Sequence, residues 1–114
     1  MNLIHLFWLL VAGHCLVDTS LQTESIIERK NHNCEDTWVI WLTHHAMVQG
    51  LIVTAIVYFI TKDFTLSVNL GIVETILHWA IDFGKCDYRY GIIMDQFLHI
   101  LTKIIYIIII RNAA

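Results

Sequence analysis

Residues 70–85 read LGIVETILHWAIDFGK, an apolar run interrupted every fourth residue by Glu74, His78 and Asp82. Positions i and i+4 share a helix face, so the three polar side chains form one stripe on an otherwise greasy helix. The spacing recurs along the chain. His14, Asp18 and Gln22 form a second stripe, His45 and Gln49 a third, and Asp95 with His99 the same pair reversed. A charged side chain at the centre of a membrane helix costs about 2.5–3.5 kcal/mol on insertion scales. Three Asp and a Glu left unpaired would cost on the order of 10 kcal/mol. They must therefore find partners. Histidines and carboxylates converging inside packed helices are the raw material of a metal site.

Composition fixes the class. Hydrophobic residues make up 57% of the 114 residues, charged residues 15%, and there is no proline. Mean hydropathy is +0.64. That is too apolar for an ordinary soluble domain of this length and excludes a disordered chain. The net charge of −3 carries no basic stripe, so no nucleic-acid partner is expected. Cys15, Cys34 and Cys86 form no C-x-x-C pair and read as free thiols.

The expected fold is all-α: an integral-membrane four-helix bundle built from two related helical hairpins, with residues 1–114 as one transmembrane domain. A span needs about 20 mostly apolar residues. Residues 3–21, 37–60, 64–83 and 91–110 supply four. Residues 22–36 form a charged loop with Glu24, Glu28, Arg29, Lys30, Glu35 and Asp36. Residues 61–63 form a tight turn, and residues 84–90 a short polar loop. The first span has no basic leader and no A-x-A site, so it reads as a retained helix, not a signal peptide. Trp8, Trp38, Trp41, Trp79, Tyr58, Tyr88, Tyr90 and Tyr106 lie mostly near span ends, as an aromatic belt would.

Threading these spans through a bilayer brings every polar cluster into one leaflet, on the side of the residue 22–36 loop. The opposite half is apolar: Leu3, Ile4, Phe7, Ile56, Phe59, Val68, Leu70, Ile107, Ile108. Arg29, Lys30, Lys85 and Arg89 on the polar side outnumber Lys62 and Arg111 on the other. By the positive-inside bias the polar side faces the cytoplasm and both termini lie across the membrane.

Seven side chains are the candidate metal ligands: His14, Asp18, His45, His78, Asp82, Asp95 and His99. One zinc needs four ligands, or three and water. Seven suit two ions bridged by a carboxylate. Donors of N and O type without cysteine fit a divalent transition metal, Zn first, with Mn or Fe as alternatives. The bland reading is that each histidine is simply an interhelical hydrogen bonder. His5 and His32 are left out of the set. Of His44 and His45 only one can point inward, and the register with Gln49 favours His45. Gln22 and Gln96 suit the orienting of ligands. Glu74, one turn deeper than His78, is the candidate general base or a carboxylate that orients a ligand. Lys85, with Lys30 or Arg89, would meet a phosphate at the rim, unless these lysines merely snorkel.

These residues resemble a family of small multi-pass bacterial and phage membrane proteins known only as domain-of-unknown-function family 3307. Its pattern is H-x3-D-F-x2-Q, a lysine, a histidine opening the second span, H-x3-D-x2-K and D-Q-x2-H. The matches are His14, Asp18, Gln22, Lys30, His45, His78, Asp82, Lys85, Asp95, Gln96 and His99, spread over nearly the whole chain. Thr19 departs from the pattern's aromatic. The pattern is also similar to membrane-bound metal-dependent hydrolases, which carry H-x3-D helices.

The resemblance implies a protein of the bacterial inner membrane. From the residues and this similarity together, the expected function is metal-dependent hydrolysis of a lipid or phosphate ester in the cytoplasmic-side leaflet, by a single chain or a homo-oligomer. The alternative is non-enzymatic: a metal-binding, transport or structural bundle.

Overall fold

The computed structural model describes residues 2–34 and 36–113, Ser20 by its backbone alone. Met1, Ala114 and the loop charge Glu35 lie outside the described residues. The chain is helical throughout: α1 (Leu3–Cys15) continues into a π-helical turn (Leu16–Ser20), followed by α2 (Glu24–Arg29), α3 (Trp38–Thr61), α4 (Phe64–Cys86) and α5 (Ile92–Ala113). No strand occurs among the described residues.

Local chemistry sets the boundaries. Asn2 Oδ1 accepts from the backbone N–H groups of Ile4 and His5 and starts α1. Thr23 caps α2 and Asp63 caps α4 in the same way, each satisfying donors that a helix start leaves unpaired. α3 ends where Lys62 takes a left-handed backbone, φ 59°. Asp63 follows at once as the cap of α4, so α3 and α4 form a hairpin with the tight turn the sequence predicts.

α3, α4 and α5 have 24, 23 and 22 residues and are each long and apolar enough to cross a membrane. At 1.5 Å per residue they extend about 33–36 Å, against a hydrocarbon core of about 30 Å. The first apolar helix, Leu3–Thr19, is shorter. Three helices, not the four expected, are therefore long enough by themselves. The shortfall has a local cause. The π-turn adds a residue without adding a turn, Leu21 N–H donating to the Leu16 carbonyl at 2.8 Å, and the chain then leaves the helix. The charged loop also differs from expectation, since it contains the six-residue α2.

α1 packs on α3 and α5, α4 packs on α5, and α3 with α4 makes the most extensive contact. Gly50 and Gly71 bring α3 and α4 close. A Cβ on Gly71 would sit 2.8 Å from the Gly50 carbonyl oxygen, and one on Gly50 2.5 Å from that of Gly71. The molecule measures 43 × 24 × 21 Å.

Its distribution of polarity is inverted relative to a water-soluble protein. The buried set includes His14, Asp18, Lys30, His45, Glu74, His78, Asp82, Asp95, His99 and Lys103, while Ile4, Trp8, Leu51, Phe59, Phe64, Ile76 and Ile93 are exposed. A surface this apolar needs a hydrocarbon solvent or a partner, consistent with a membrane protein. The interior has two storeys. Leu6, Leu10, Val53, Val57, Leu70, Tyr106 and Ile110 fill one, and the histidines and carboxylates fill the other.

The close crossing yields a direct test. Gly71→Leu should lower the unfolding free energy by about 1–3 kcal/mol, the usual cost of overpacking, and more if α4 cannot shift. Gly91→Ala, with nothing within 4 Å of the added Cβ, should leave thermal unfolding in detergent unchanged. Equal behaviour of the two variants would show that the crossing is not tight.

Candidate metal centre

The π-turn sets the first ligand stripe. Asp18 lies inside it, and Thr19 Oγ1 donates to the Cys15 carbonyl at 2.5 Å, supporting the backbone where the ordinary helical ladder is broken. Such turns are frequent at functional sites. Gln22 Nε2 donates to the Asp18 carbonyl at 2.7 Å and holds the end of the turn. Opposite, α3 points His45 inward and leaves His44 exposed, so His45 is the inward member of that pair.

Around Asp18 and Asp82 the side chains lie close enough together that they could hold a metal ion. His45 Nε2 lies 3.1 Å from Asp18 Oδ1 and 3.5 Å from Asp82 Oδ2. His78 Nε2 lies 3.5 Å from Asp18 Oδ1 and 3.3 Å from Asp82 Oδ2. Bonds of about 2.0–2.1 Å at tetrahedral angles put donors about 3.3 Å apart. All four His–Asp edges fall near that value. Moreover, His78 Nε2 makes no hydrogen bond to either oxygen although fully buried. A ring nitrogen aimed between two carboxylates is poorly placed for one hydrogen bond and well placed for a shared cation.

The second oxygens of the same carboxylates face another group. Asp82 Oδ1 accepts from His99 Nε2 at 3.1 Å, and Asp18 Oδ2 lies 3.6 Å from His14 Nε2. His99 Nε2 is also 3.5 Å from Asp95 Oδ1. The structure thus gathers three overlapping donor groups: Asp18, His45, His78 and Asp82; His14, His78 and His99; and Asp18, Asp95 and His99. Gln96 ties them together. Its Nε2 donates to Asp18 Oδ2 at 3.0 Å and Asp95 Oδ2 at 2.9 Å, and its Oε1 is 3.2 Å from His14 Nε2. All seven candidate ligands lie within this cluster.

Lys30, read from sequence as a rim or snorkelling residue, is buried in the cluster. It caps the C-terminus of α2, and its ammonium donates to Asp82 Oδ2 at 2.7 Å. The next residues clamp it there. Asn33 donates to the Cys86 carbonyl at 3.0 Å, and His32 pairs with Asp87 at 3.1 Å. A hydrogen bond from Arg89 holds the Asp87 carboxyl below its usual range, so it stays charged for this contact. Lys85, by contrast, is a rim residue: its side chain is 32% exposed and its ammonium 3.9 Å from Asp95.

Glu74 is the candidate base, and its surroundings constrain it. Lys103 Nζ donates to Oε1 at 2.7 Å and the Tyr106 hydroxyl to Oε2 at 2.6 Å. His78 Nδ1 is 3.5 Å away. With both oxygens engaged by Lys103 and Tyr106, Glu74 sits behind His78 without a hydrogen bond to its ring.

Two members of this arrangement were missed in the sequence. Lys103 lies four residues after His99, so the Asp95–His99 stripe in fact runs one turn deeper. Tyr106, placed in the aromatic belt, is fully buried; Glu74 gives its hydroxyl a partner that an interfacial tyrosine would find in water.

Four buried carboxylates (Asp18, Glu74, Asp82, Asp95) face two buried ammonium groups (Lys30, Lys103). The interior is therefore short by two positive charges if the histidines are neutral. One divalent cation, or two imidazolium rings, closes the difference. Each uncompensated buried charge would cost several kcal/mol.

The Lys103–Glu74 pair can be tested apart from any metal. Lys103→Met should destabilise the protein by about 3–5 kcal/mol, because it strands a buried carboxylate. Lys103→Met combined with Glu74→Gln should recover most of that loss. Denaturant unfolding of both variants in detergent checks it; an equal loss in both would show that Glu74 is not the group Lys103 compensates.

Comparison with known proteins places the chain without assigning it an activity. Neither the curated proteins nor the solved structures contain a significant match. The model of the family described as "Protein of unknown function (DUF3307)" matches residues 6–114, all of the helices described above but the first residues of α1. The chain belongs to the DUF3307 family.

Proposed function

We propose that this protein is a membrane-embedded metal-dependent hydrolase acting on a lipid or phosphate ester. Its four apolar helices would form a bundle of two related hairpins, α1 with α3 and α4 with α5, each pairing an H-x3-D helix with a histidine-bearing one. α1, though short, would reach the site from its side of the bilayer. The observation that carries the reading is the Asp18–His45–His78–Asp82 quartet, whose four edges of 3.1–3.5 Å suit one tetrahedral ion. The opposite oxygens of Asp18 and Asp82 support a second, weaker position among His14, Asp95 and His99.

A divalent ion bound there supplies a coordinated water of lowered pKa and polarises a carbonyl or phosphoryl oxygen. The chain's own groups do the rest. Glu74 would take up His78 Nδ1, 3.5 Å away, once the ring is held at a metal, Gln96 fixes Asp18 and His14, and Lys85 offers a cation at the rim for a phosphate. Zinc suits this nitrogen and oxygen set, and Mn or Fe would also fit. The site would open on the cytoplasmic side of the bacterial inner membrane. Since Lys30 is occupied inside, the charges supporting that orientation are Arg29, Lys85 and Arg89 against Lys62 and Arg111.

The second reading is a metal-free structural network, favoured by the 2.7 Å Lys30–Asp82 bond, in which two protonated histidines complete the neutralisation. Metal titration separates the two. The hydrolase reading expects one tight and one weaker equivalent per chain by calorimetry and elemental analysis. Lys30→Met should raise the affinity of the tight site by roughly tenfold or more, since a like charge a few ångströms from the ion is removed. Asp82→Asn should abolish it, and His5→Ala should change nothing. Metal-loaded protein should release phosphate or fatty acid from lipid vesicles, and Asp82→Asn should not. Protein that binds no metal and keeps its stability in chelator would remove the hydrolase reading.

Orientation has its own check in Cys34, which is exposed on the loop beside the site. In intact cells it should resist a membrane-impermeant thiol reagent and react once the membrane is opened, with Cys34→Ser as the blank. Rapid labelling of intact cells would put the site on the outer face.

A further inference from the structure

Beside the cluster, on the lipid-facing flank, lies a groove of about 290 Å³ between the α1 π-turn, α2 and α3, lined by Val17, Leu21, Gln22, Ile26, Trp41, His44, His45 and Val48. Along α3 it runs from Trp41 to Val48, about 10 Å at helical rise. Its two ends differ in chemistry. The deep end is hydrocarbon: Val17 and Val48. The shallow end is polar and cationic. Arg29 lies with its guanidinium 4.8 Å above the Trp41 ring, and Trp41 is fixed by its indole N–H donating to Thr37 Oγ1 at 3.2 Å. Gln22, held through its amide nitrogen, keeps a buried Oε1 with no hydrogen-bond partner.

The short α2 sets a basic side chain, Arg29, beside this mouth. Ile26 and Arg29, three residues apart, share the face turned to the groove. Glu24 and Glu28 fall on the opposite face and are exposed. Between the two ends stand His44 and His45, and His45 is bonded to Asp18 of the cluster. A molecule with an anionic head at Arg29 and a hydrocarbon tail along Val48 would thus pass its linking region across the wall that separates the groove from the donor quartet.

We propose that this groove is the substrate channel of the site and takes one acyl chain of an anionic glycerophospholipid, phosphatidylglycerol in type, from the surrounding bilayer. Arg29 pairs with its phosphate. The assignment of the lipid as substrate rests on the hydrolase reading; the binding groove does not.

The test uses the full chain in phosphatidylcholine nanodiscs doped with phosphatidylglycerol carrying a diazirine on one acyl chain. After irradiation, mass spectrometry should find adducts concentrated at Leu21, Ile26 and Val48, several-fold above Ile104 and Ile108, which are exposed on α5 outside any groove. Arg29→Ala should reduce groove labelling about fivefold, the factor that ~1 kcal/mol per basic residue at a membrane surface represents. Val48→Trp should block labelling while leaving metal content unchanged.

Labelling as strong on α5 as in the groove, or undiminished when phosphatidylcholine carries the probe, would overturn the site. So would displacement of the label by a polyprenyl phosphate but not by unlabelled phosphatidylglycerol. Metal content measured on the same sample separates the two claims. Bound metal without groove labelling overturns this inference alone. Groove labelling without bound metal leaves a lipid site and overturns its role as a substrate channel.

Discussion

Two aspartates, Asp18 and Asp82, face each other in a chain whose exterior is hydrocarbon, and the surrounding structure answers the cost of burying them. His45 and His78 stand between their inner oxygens, His14 and His99 beside their outer ones. Each of these four histidines comes from a different helix: α1, α3, α4 and α5. The electrostatic demand of two carboxylates therefore acts as interhelical glue. The hydrophobic effect contributes little to helix association in lipid, where tails are as apolar as leucine. What the hydrophobic effect cannot do here, close steric fit at Gly50–Gly71 and the shared carboxylates do instead.

The same demand explains features that look unrelated. Asp18 belongs to the π-turn, which costs α1 its regular ladder and shortens its reach. Lys30 is drawn out of a loop and into the interior, and the clamp of His32, Asn33 and Asp87 keeps α2 against the helices. Glu74 and Lys103 mark the floor of the polar storey. Below them Tyr106 turns its hydroxyl up to Glu74 and its ring down among Leu6, Leu10 and Ile110, joining the two storeys through one side chain.

Much of this was legible in the sequence, and the limits are instructive. The four-residue spacing of polar side chains located the seven His and Asp residues of the cluster, because a polar group in an apolar helix has few reasons to be there. The inward choice of His45 over His44 followed from its register with Gln49. The π-turn was not legible, since Leu16–Ser20 carries no residue that demands it. Lys30 was misplaced because a lysine in a charged loop is indistinguishable from a solvated one until the fold shows which carboxylate lacks a partner. Lys103 could have been found: it continues the Asp95–His99 stripe, and a lysine in mid-span calls for an acid on a neighbouring helix. Tyr106 was assigned by its place near a span end, where amphipathic rings are common, and only its buried acceptor sets it apart.

The asymmetry between the two storeys bears on which function the cluster can serve. A conducting path needs polar groups through both leaflets, whereas here the polar set stops at Glu74 and Lys103 and the other half is filled by Leu6, Leu10, Val53, Val57, Leu70 and Ile110. Lys103 itself is a barrier, because a cation passing that level would meet a fixed ammonium already bonded to Glu74. Access from one side fits a site that receives a substrate and returns a product to the same leaflet. The lateral groove at His45 strengthens this view. On the proposed reading it would meet the cluster from the lipid flank, where an amphiphile would lie with its head at the surface and its chain in the hydrocarbon, and would need only to slide sideways to bring its linkage to the donor quartet.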